Sequence, residues 1–158
     1  MPHRDTTKTT GQVVDFAQVR EQKLEEKRRK YERILFKHLF SVYTVMGRSK
    51  IMPVEMIDVS EAGCAFQIPF DPKTPWPNDA DQAVPLRLYF TQDTYLEILV
   101  RVQNSRPCIT DKGRFTRYGC TVDASTASYP AYQQFVGFLK MYGEMAHRDM
   151  GDVSVFYV

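Results

Sequence analysis

A cluster of three arginines is the first feature of the sequence that could bind a ligand: Arg28, Arg29 and Arg33. A guanidinium group donates paired hydrogen bonds that suit a phosphate or the O6 and N7 atoms of guanine, and its flat face can stack on a base. A basic run such as KRRK, at residues 27–30, is more often only the solvated end of a helix. The arginines therefore need a second group of residues that points to the same ligand.

The octapeptide MIDVSEAG, at residues 56–63, contains such a group: Asp58, Ser60 and Gly63 at D-x-S-x-x-G spacing. An ionised carboxylate only accepts hydrogen bonds, so Asp58 suits the N1 and exocyclic amino donors of guanine. The hydroxyl of Ser60 can bond to a phosphate or a base, and Gly63 allows the backbone to come close. The same sequence is also typical of an Asx or Ser turn that ties a hairpin, which would not exclude a ligand. Together with the arginines, it favours a guanine nucleotide that carries phosphates.

Two predicted strands would bring these two groups together. A solvent-facing helix is predicted over residues 13–28, because Gln, Glu, Lys and Arg are good helix formers. The first strand is predicted in ILFKHLFSVYTVM, which begins after Arg33, and the second in IMPVEMIDV, which ends within the D-x-S motif. A hairpin places the start of the one strand and the end of the other at the same end of a barrel. We therefore expect the arginines and Asp58 to face one ligand, although Asp58 follows Arg33 by 25 residues.

Four more strands and a C-terminal helix complete the predicted fold. Strands are predicted in CAFQIPF, VPLRLYF, YLEILVRVQNS and RFTRYGCTVDAS, which lie between turn signals. A helix that begins near Ser128 is predicted from apolar residues at helical spacing: Tyr132, Phe135, Val136, Leu139 and Tyr142. The Pro-rich segment at residues 70–83 is predicted to be an irregular loop in which Trp76 caps the core. The result is a mainly β protein, with six antiparallel strands in a small barrel, an N-terminal helix and a C-terminal helix.

The composition bounds the remaining possibilities. A chain of 158 residues is long enough for one domain, here with a disordered tail predicted at 1–12 and a C-terminal tail at 148–158. A formal charge of +2 gives no general reason to expect nucleic acid or a membrane as the partner, and the apolar runs are far too short to span a bilayer. Because the N-terminus lacks the apolar segment of a signal peptide, the chain is expected to be cytoplasmic.

The sequence predicts neither catalysis nor a metal site. Cys64, Cys108 and Cys120 form no CxxC pair, so buried free thiols are expected. The three histidines share no short metal-ligand spacing with a cysteine or a carboxylate. No serine or cysteine is marked as an activated nucleophile, and no glycine-rich phosphate loop occurs. We therefore expect a protein that is not an enzyme and has no metal or cofactor.

The two motifs together resemble those of PilZ domains, which are bacterial receptors for cyclic di-GMP. RKYER at residues 29–33 is similar to the RxxxR motif of this family, and DVSEAG at residues 58–63 to its D/NxSxxG motif. The strand order, the tract RYGCTVDAS and the helix after it also match the family layout, so the resemblance covers roughly residues 27–145. It implies a PilZ-type, split-barrel-like domain over residues 29–147. The long Pro-rich loop and the extended N-terminal helix depart from the commonest pattern.

The resemblance also implies a role for each site residue. Arg29 and Arg33 would clamp guanine edges and phosphates, and a further set would line the floor of the site from the barrel side: Asp58, Ser60 and Gly63. Arg28 stands where a basic side chain in the family is associated with holding a stacked dimer of the nucleotide. The ligand implied is cyclic di-GMP, without any cofactor.

The leading hypothesis is thus a non-catalytic cyclic di-GMP receptor. In it, residues 28–33 are mobile without ligand, fold over the nucleotide and move the N-terminal helix, and a downstream protein partner of unknown identity responds to this movement. One alternative is a PilZ-type adaptor that binds proteins independently of nucleotide. A less favoured one is a small barrel that binds nucleic acid through KRRK and exposed aromatic residues. The sequence leaves open the oligomeric state and the number of nucleotides bound per chain.

Overall fold

The computed structural model describes residues 15–38, 40–46, 50–73, 76, 82–147 and 150–151. A long helix, α1 (Phe16–His38), comes first, and a second helix, α2 (Tyr129–Met145), follows the last strand. Between them the described residues form seven strands: β1 (Ser41–Met46), β2 (Lys50–Pro53), β3 (Glu55–Val59), β4 (Gly63–Pro69), β5 (Ala83–Tyr89), β6 (Tyr95–Thr110) and β7 (Gly113–Val122). The tails predicted at 1–12 and 148–158 lie outside the described residues, except for Met150 and Gly151, and so does much of the Pro-rich loop.

The seven strands form one antiparallel sheet in the order β2-β1-β5-β6-β7-β4-β3. The two edge strands, β2 and β3, follow one another in the chain and are separated only by Val54. The predicted mainly β antiparallel fold with an N-terminal and a C-terminal helix is therefore confirmed. The predicted count of six strands in a closed barrel is wrong, because the described sheet has seven strands and its two edges are not paired with each other.

The difference arises in the segment IMPVEMIDV, which the apolar pattern predicts to be a single strand. Its first part lies in β2 and pairs with β1, where Met52 is opposite Thr44. Its second part is β3 and pairs with β4, where Met56 is opposite Phe66. Alternation of apolar residues shows which face of a sheet a side chain occupies, but not which strand is its neighbour. A change of partner strand at Val54 therefore leaves the alternation intact.

α1 is longer than the sequence pattern predicts. A strand was expected from Ile34 onward, but the helix continues five residues beyond Arg33. Aromatic and branched residues in this segment favour a strand when propensity alone is considered. In the fold, Leu35 is buried in the core and Phe36 packs edge-to-face on Phe135 of α2, so tertiary packing keeps the segment helical. Arg33 consequently lies inside α1 rather than at a junction between a helix and a strand.

α2 packs its apolar face on the core, with these predicted residues buried: Tyr132, Phe135, Val136 and Leu139. Tyr142, which was predicted on the same face, is 39% exposed. The end of α2 also contacts α1. A Cβ atom at Gly143 would lie 2.8 Å from Cα of Arg28, so only glycine permits this approach of the two helices. Beside this crossing, Nζ of Lys27 donates a hydrogen bond to the backbone oxygen of Glu144 at 3.0 Å. α2 thus fixes the position of the helix that carries the arginines.

Trp76 lies over one end of the core. It is 8% exposed and packs on Phe66 and Tyr118, and the hydroxyl of Tyr118 donates a hydrogen bond to its backbone oxygen. The prediction that Trp76 caps the core is therefore confirmed. Within the part of the chain that the structure describes, neither helix is long and apolar enough to cross a membrane.

Candidate functional site

The D-x-S-x-x-G segment forms a tight hairpin turn between β3 and β4. The backbone N–H of Ser60 donates to the oxygen of Gly63 at 2.8 Å, and the N–H of Gly63 donates to the hydroxyl of Ser60 at 3.2 Å. Ser60 therefore ties the turn with its side chain, which is one of the two roles that the sequence allows. Asp58 comes just before the turn and is partly buried, and no described group donates a hydrogen bond to its carboxylate. Its acceptor oxygens thus remain available to a ligand.

α2 supports this turn from below. The hydroxyl of Tyr132, on a fully buried side chain, lies 2.9 Å from the backbone oxygen of Ser60 and 3.2 Å from that of Gly63. The hydroxyl of Tyr129 donates to the backbone oxygen of Glu61 at 3.1 Å. Helical spacing assigned Tyr132 to the core face but not to the turn. The sequence signal for this contact is a Tyr at a buried helix position, because a buried hydroxyl requires a hydrogen-bond partner.

Gly63 has a packing role that its motif did not predict. A Cβ atom at this position would overlap the backbone oxygen of Cys120 on β7. Glycine therefore allows β4 to lie close against β7 at the start of the strand, and the predicted close approach of a ligand at Gly63 stays a prediction. Its contribution to the site is to hold the turn in place.

Two adjoining cavities surround the turn. The smaller one, here called the turn cavity, has a volume of about 300 Å³ and is lined by Asp58, Ser60 and Gly63. Its far wall consists of residues that the sequence analysis did not identify, Gln103 and Asn104 on β6 and Gly119 on β7. A Cβ atom at Gly119 would lie 2.8 Å from Oδ1 of Asn104, so the amide of Asn104 packs closely over this glycine. No local pattern marks these residues, because they meet the turn only through the pairing of β4, β7 and β6.

The larger cavity, here called the helix cavity, lies between α1 and the same turn. It has a volume of about 750 Å³, and four of the predicted site residues line it: Arg28, Arg29, Asp58 and Ser60. The predicted juxtaposition of the arginine cluster with the D-x-S motif is therefore present for two of the three arginines. Asp58 and Ser60 line both cavities, so the two are continuous along the turn.

Arg33 does not line the helix cavity. It lies one helical turn beyond Arg29 and lines a third cavity, together with Lys37, Lys112 and Arg117. The predicted position of Arg33 opposite Asp58 depends on a strand that begins directly after Arg33. The continued helix carries Arg33 along the axis and away from the turn.

A carboxylate on α1 forms ion pairs with both arginines of the helix cavity. Glu25 pairs with Arg28 at 3.0 Å and with Nε of Arg29 at 3.3 Å. The hydrogen bond from Arg28, and with it the charges of Arg28, Arg29 and Lys140, lowers the pKa of Glu25. Arg28 is largely covered, with 14% of its side chain exposed, whereas 53% of the Arg29 side chain is exposed. A ligand anion in this cavity would therefore compete with Glu25 for both guanidinium groups.

The cysteines of the sheet are free thiols, and two of them are buried in the core. Cys64 and Cys120 are buried opposite each other on β4 and β7, and Cys108 is partly buried. A hydrogen bond with Cys120 and burial raise the pKa of the Cys64 thiol well above its ordinary value, so this thiol stays protonated and is a poor nucleophile. Among the residues that the structure describes, no group of three or more His, Cys, Asp or Glu side chains is arranged to hold a metal ion.

These features describe a small antiparallel β domain whose arginine-bearing helix lies against a D-x-S-x-x-G turn. A family model described as PilZ domain matches residues 27–137. The chain therefore belongs to the PilZ domain family, and the family predicted from the two motifs is confirmed. A search of curated proteins finds no match to the sequence.

Two solved structures of MrkH show the same fold. The apo structure of MrkH from K. pneumonia matches with a TM-score of 0.53 and 15% identity, over 68% of this chain and 49% of MrkH. A second crystal of K. pneumonia MrkH gives a TM-score of 0.50 and 15% identity, over 68% and 47%. The PilZ domain with c-di-GMP of YcgR from Escherichia coli has a TM-score of 0.49 and 11% identity, over 66% of this chain and 84% of that domain. This chain spans about half the length of the MrkH chains that it matches.

Proposed function

We propose that the protein is a receptor for cyclic di-GMP, which binds across the helix cavity and the turn cavity. The observation that carries the proposal is that Arg28 and Arg29 line one cavity with Asp58 and Ser60, in a chain of the PilZ family. The apo structure of MrkH shares this fold, and another structure of MrkH is its complex with c-di-GMP. This supports the choice of ligand.

The chemistry of the cavity walls suits the two parts of this nucleotide. The guanidinium groups of Arg28 and Arg29 can bind phosphate oxygens or the O6 and N7 edge of guanine. The carboxylate of Asp58 can accept from the N1 and exocyclic amino groups of guanine. A volume of about 750 Å³ is within the range of small-molecule sites. The nucleotide would displace Glu25 from the arginines as it binds.

The path from ligand to partner differs from the one that the sequence suggested. Residues 28–33 lie within α1, so we propose that binding exchanges the partners of the arginines and shifts α1, rather than folding a mobile segment. The shift would act on the crossing of α1 with α2 at Gly143. A downstream protein that contacts α1 would then detect the nucleotide. In this arrangement Arg33 supports the site only indirectly.

Calorimetric titration with cyclic di-GMP tests the proposal. Arg29→Ala and Asp58→Ala should each raise Kd by at least about tenfold, because each loses a charged hydrogen bond worth about 1.5–3 kcal/mol. Arg20→Ala is the matched control, since Arg20 is exposed on α1 and lines none of the cavities described above. Arg33→Ala should have a smaller effect than Arg29→Ala.

Two outcomes would contradict the proposal. Binding that stays tight in an Arg29→Ala/Asp58→Ala double variant would place the nucleotide elsewhere. A folded wild-type protein that gives no heat with cyclic di-GMP would favour a nucleotide-independent adaptor, and salt-sensitive binding to long DNA or RNA in its place would favour a nucleic-acid-binding barrel.

A further inference from the structure

The third cavity, here called the basic cavity, combines apolar walls with a cationic rim. It has a volume of about 740 Å³ and lies between the last turns of α1, the start of β3 and the hairpin of β6 and β7. Its apolar wall consists of Phe36, Phe40, Val42, Val54, Met56 and Ile57. Among the described residues, those of its lining that carry a charge are four cations and one carboxylate: Arg33, Lys37, Lys112, Arg117 and Glu55. Asp58, Ser60 and Gly63 do not line this cavity, so it is separate from the site around the turn.

A row of polar side chains across three strands holds Arg117 in the cavity wall. Gln67 of β4 is opposite Glu55 of β3 on one side and opposite Arg117 of β7 on the other. Gln67 is only 4% exposed, and both polar atoms of its side-chain amide form hydrogen bonds. Its Nε2 donates to Glu55 at 3.2 Å, and its Oε1 accepts from Nη2 of Arg117 at 3.1 Å. The guanidinium group is thus fixed in place through a neutral amide and not by a carboxylate.

The charge of Arg117 lacks a counterion in this row. Glu55, the one carboxylate of the lining that the structure describes, is bonded to Gln67 and lies 3.9 Å from Nζ of Lys112. The Nε–H of Arg117 is buried, and no acceptor in the described part of the chain bonds to it. The residue opposite Arg117 on β6 is Arg106, a second cation. An acceptor on a ligand can satisfy the buried N–H, and an anionic acceptor would in addition offset the charge of Arg117 and reduce its repulsion with Arg106.

We propose that the basic cavity binds a small organic anion with an apolar body. The anionic group, a phosphate, sulfonate or carboxylate, would bind to Arg117, Lys37 and Lys112, and the apolar body would pack on Phe36 and Phe40. A concave, partly enclosed site of this volume with apolar walls and a few convergent polar groups is typical of small-molecule sites. It does not have the form of an exposed basic stripe that follows a nucleic-acid backbone.

Fluorescence titration with 8-anilino-1-naphthalenesulfonate tests the charge requirement, because this probe has an apolar ring system and one sulfonate. Lys37→Gln/Lys112→Gln should weaken its binding about five- to tenfold, since two exposed cations are removed from the rim. Lys23→Gln, an exposed cation of α1 outside the cavity, should leave the affinity unchanged. N-phenyl-1-naphthylamine, a probe without the sulfonate, should bind weakly to the wild type and equally weakly to the variants.

The location of the probe is tested separately, because α2 exposes apolar side chains such as Met141 and Met145. In a protein with 13C-labelled methionine methyl groups, the probe should shift the resonance of Met56, which lines the basic cavity. Arg117→Gln should abolish that shift, and if this variant fails to fold, the lysine variant should reduce it. The proposal is overturned if the probe shifts Met141 and Met145 instead, or if the rim variants bind it as tightly as the wild type.

Discussion

Glu25→Gln should tighten the binding of cyclic di-GMP, on the proposed function. Glu25 pairs with both arginines of the helix cavity, at 3.0 Å with Arg28 and at 3.3 Å with Arg29. The nucleotide carries two negative phosphodiesters, and it has to displace this carboxylate before a guanidinium group can bind it. Glutamine has a similar size and helix propensity but no charge, so the substitution removes both ion pairs of Glu25 without a change of backbone.

The expected size of the effect follows from the exposure of the pairs. The side chains of Glu25 and Arg29 are 46% and 53% exposed, and that of Arg28 is 14% exposed. Pairs that are open to solvent on one side are each worth about 0.2–1 kcal/mol. Their combined loss of about 0.5–1.5 kcal/mol corresponds to a Kd lower by about two- to tenfold. The gain should shrink at high salt, because ions screen exposed charges.

Calorimetry on three proteins distinguishes the release of the arginines from a general change of charge. Glu21 lines the same cavity, but no described cation pairs with it. Glu21→Gln therefore removes one charge without freeing an arginine, and its Kd should stay within about twofold of the wild type. An unchanged or weaker affinity of Glu25→Gln would refute the exchange. An equal gain in both variants would assign the effect to the overall field of the cavity.

Two glycines and the titration of Glu25 offer further tests. Gly143→Ala should lower the free energy of unfolding by about 1–3 kcal/mol in urea denaturation, because its methyl group would lie 2.8 Å from Cα of Arg28. The control is Gly137→Ala, because Gly137 lies on the same helix with open space around it. Gly63→Ala should also destabilise the fold, since its Cβ would overlap the backbone oxygen of Cys120, and a variant of full stability would contradict the close approach of β4 and β7. The free energy of unfolding should fall as the pH is lowered from about 5, because the Glu25 pKa is below its ordinary value of 4.5 in the folded state: stabilisation by the ionised group is complete above 4.5 and is lost as the pH falls through the lowered pKa. Glu25→Gln should lack this component, and identical pH profiles for the two proteins would contradict the ion pairs.

The features that could be predicted from the sequence are those that depend on short-range chemistry. The D-x-S-x-x-G spacing predicts a turn, because a Ser hydroxyl and the following backbone N–H groups are within bonding reach. The apolar spacing of α2 likewise predicts its buried face. The proximity of Arg29 to Asp58 was predicted from a hairpin of two strands, but the intervening segment forms the rest of α1, then β1, β2 and most of β3, and these strands have different neighbours.

The remaining features depend on contacts between distant residues. The position of Arg33 depends on whether the residues after it are helical, and that is decided by the packing of Leu35 and Phe36 against other elements. Asn104 reaches the turn cavity through an irregularity in the pairing of β6 with β7, between Val102 and Asn104. Bulges and partner strands carry no reliable signal in the alternation of a single sequence. The sequence therefore indicated which residue types form the site but not which of them share a cavity.

The packing around the helix cavity bears on how a bound nucleotide would act. Tyr132 bonds α2 to the turn, and Gly143 brings α2 against α1, so α2 sets the distance between the two walls of the cavity. A nucleotide that bonds to both Arg29 and Asp58 would complete a closed set of contacts among α1, the turn and α2. Because two of these three connections exist already, little backbone ordering would oppose binding. A receptor with this arrangement would signal through a small shift of α1 on α2, and not through the folding of a segment.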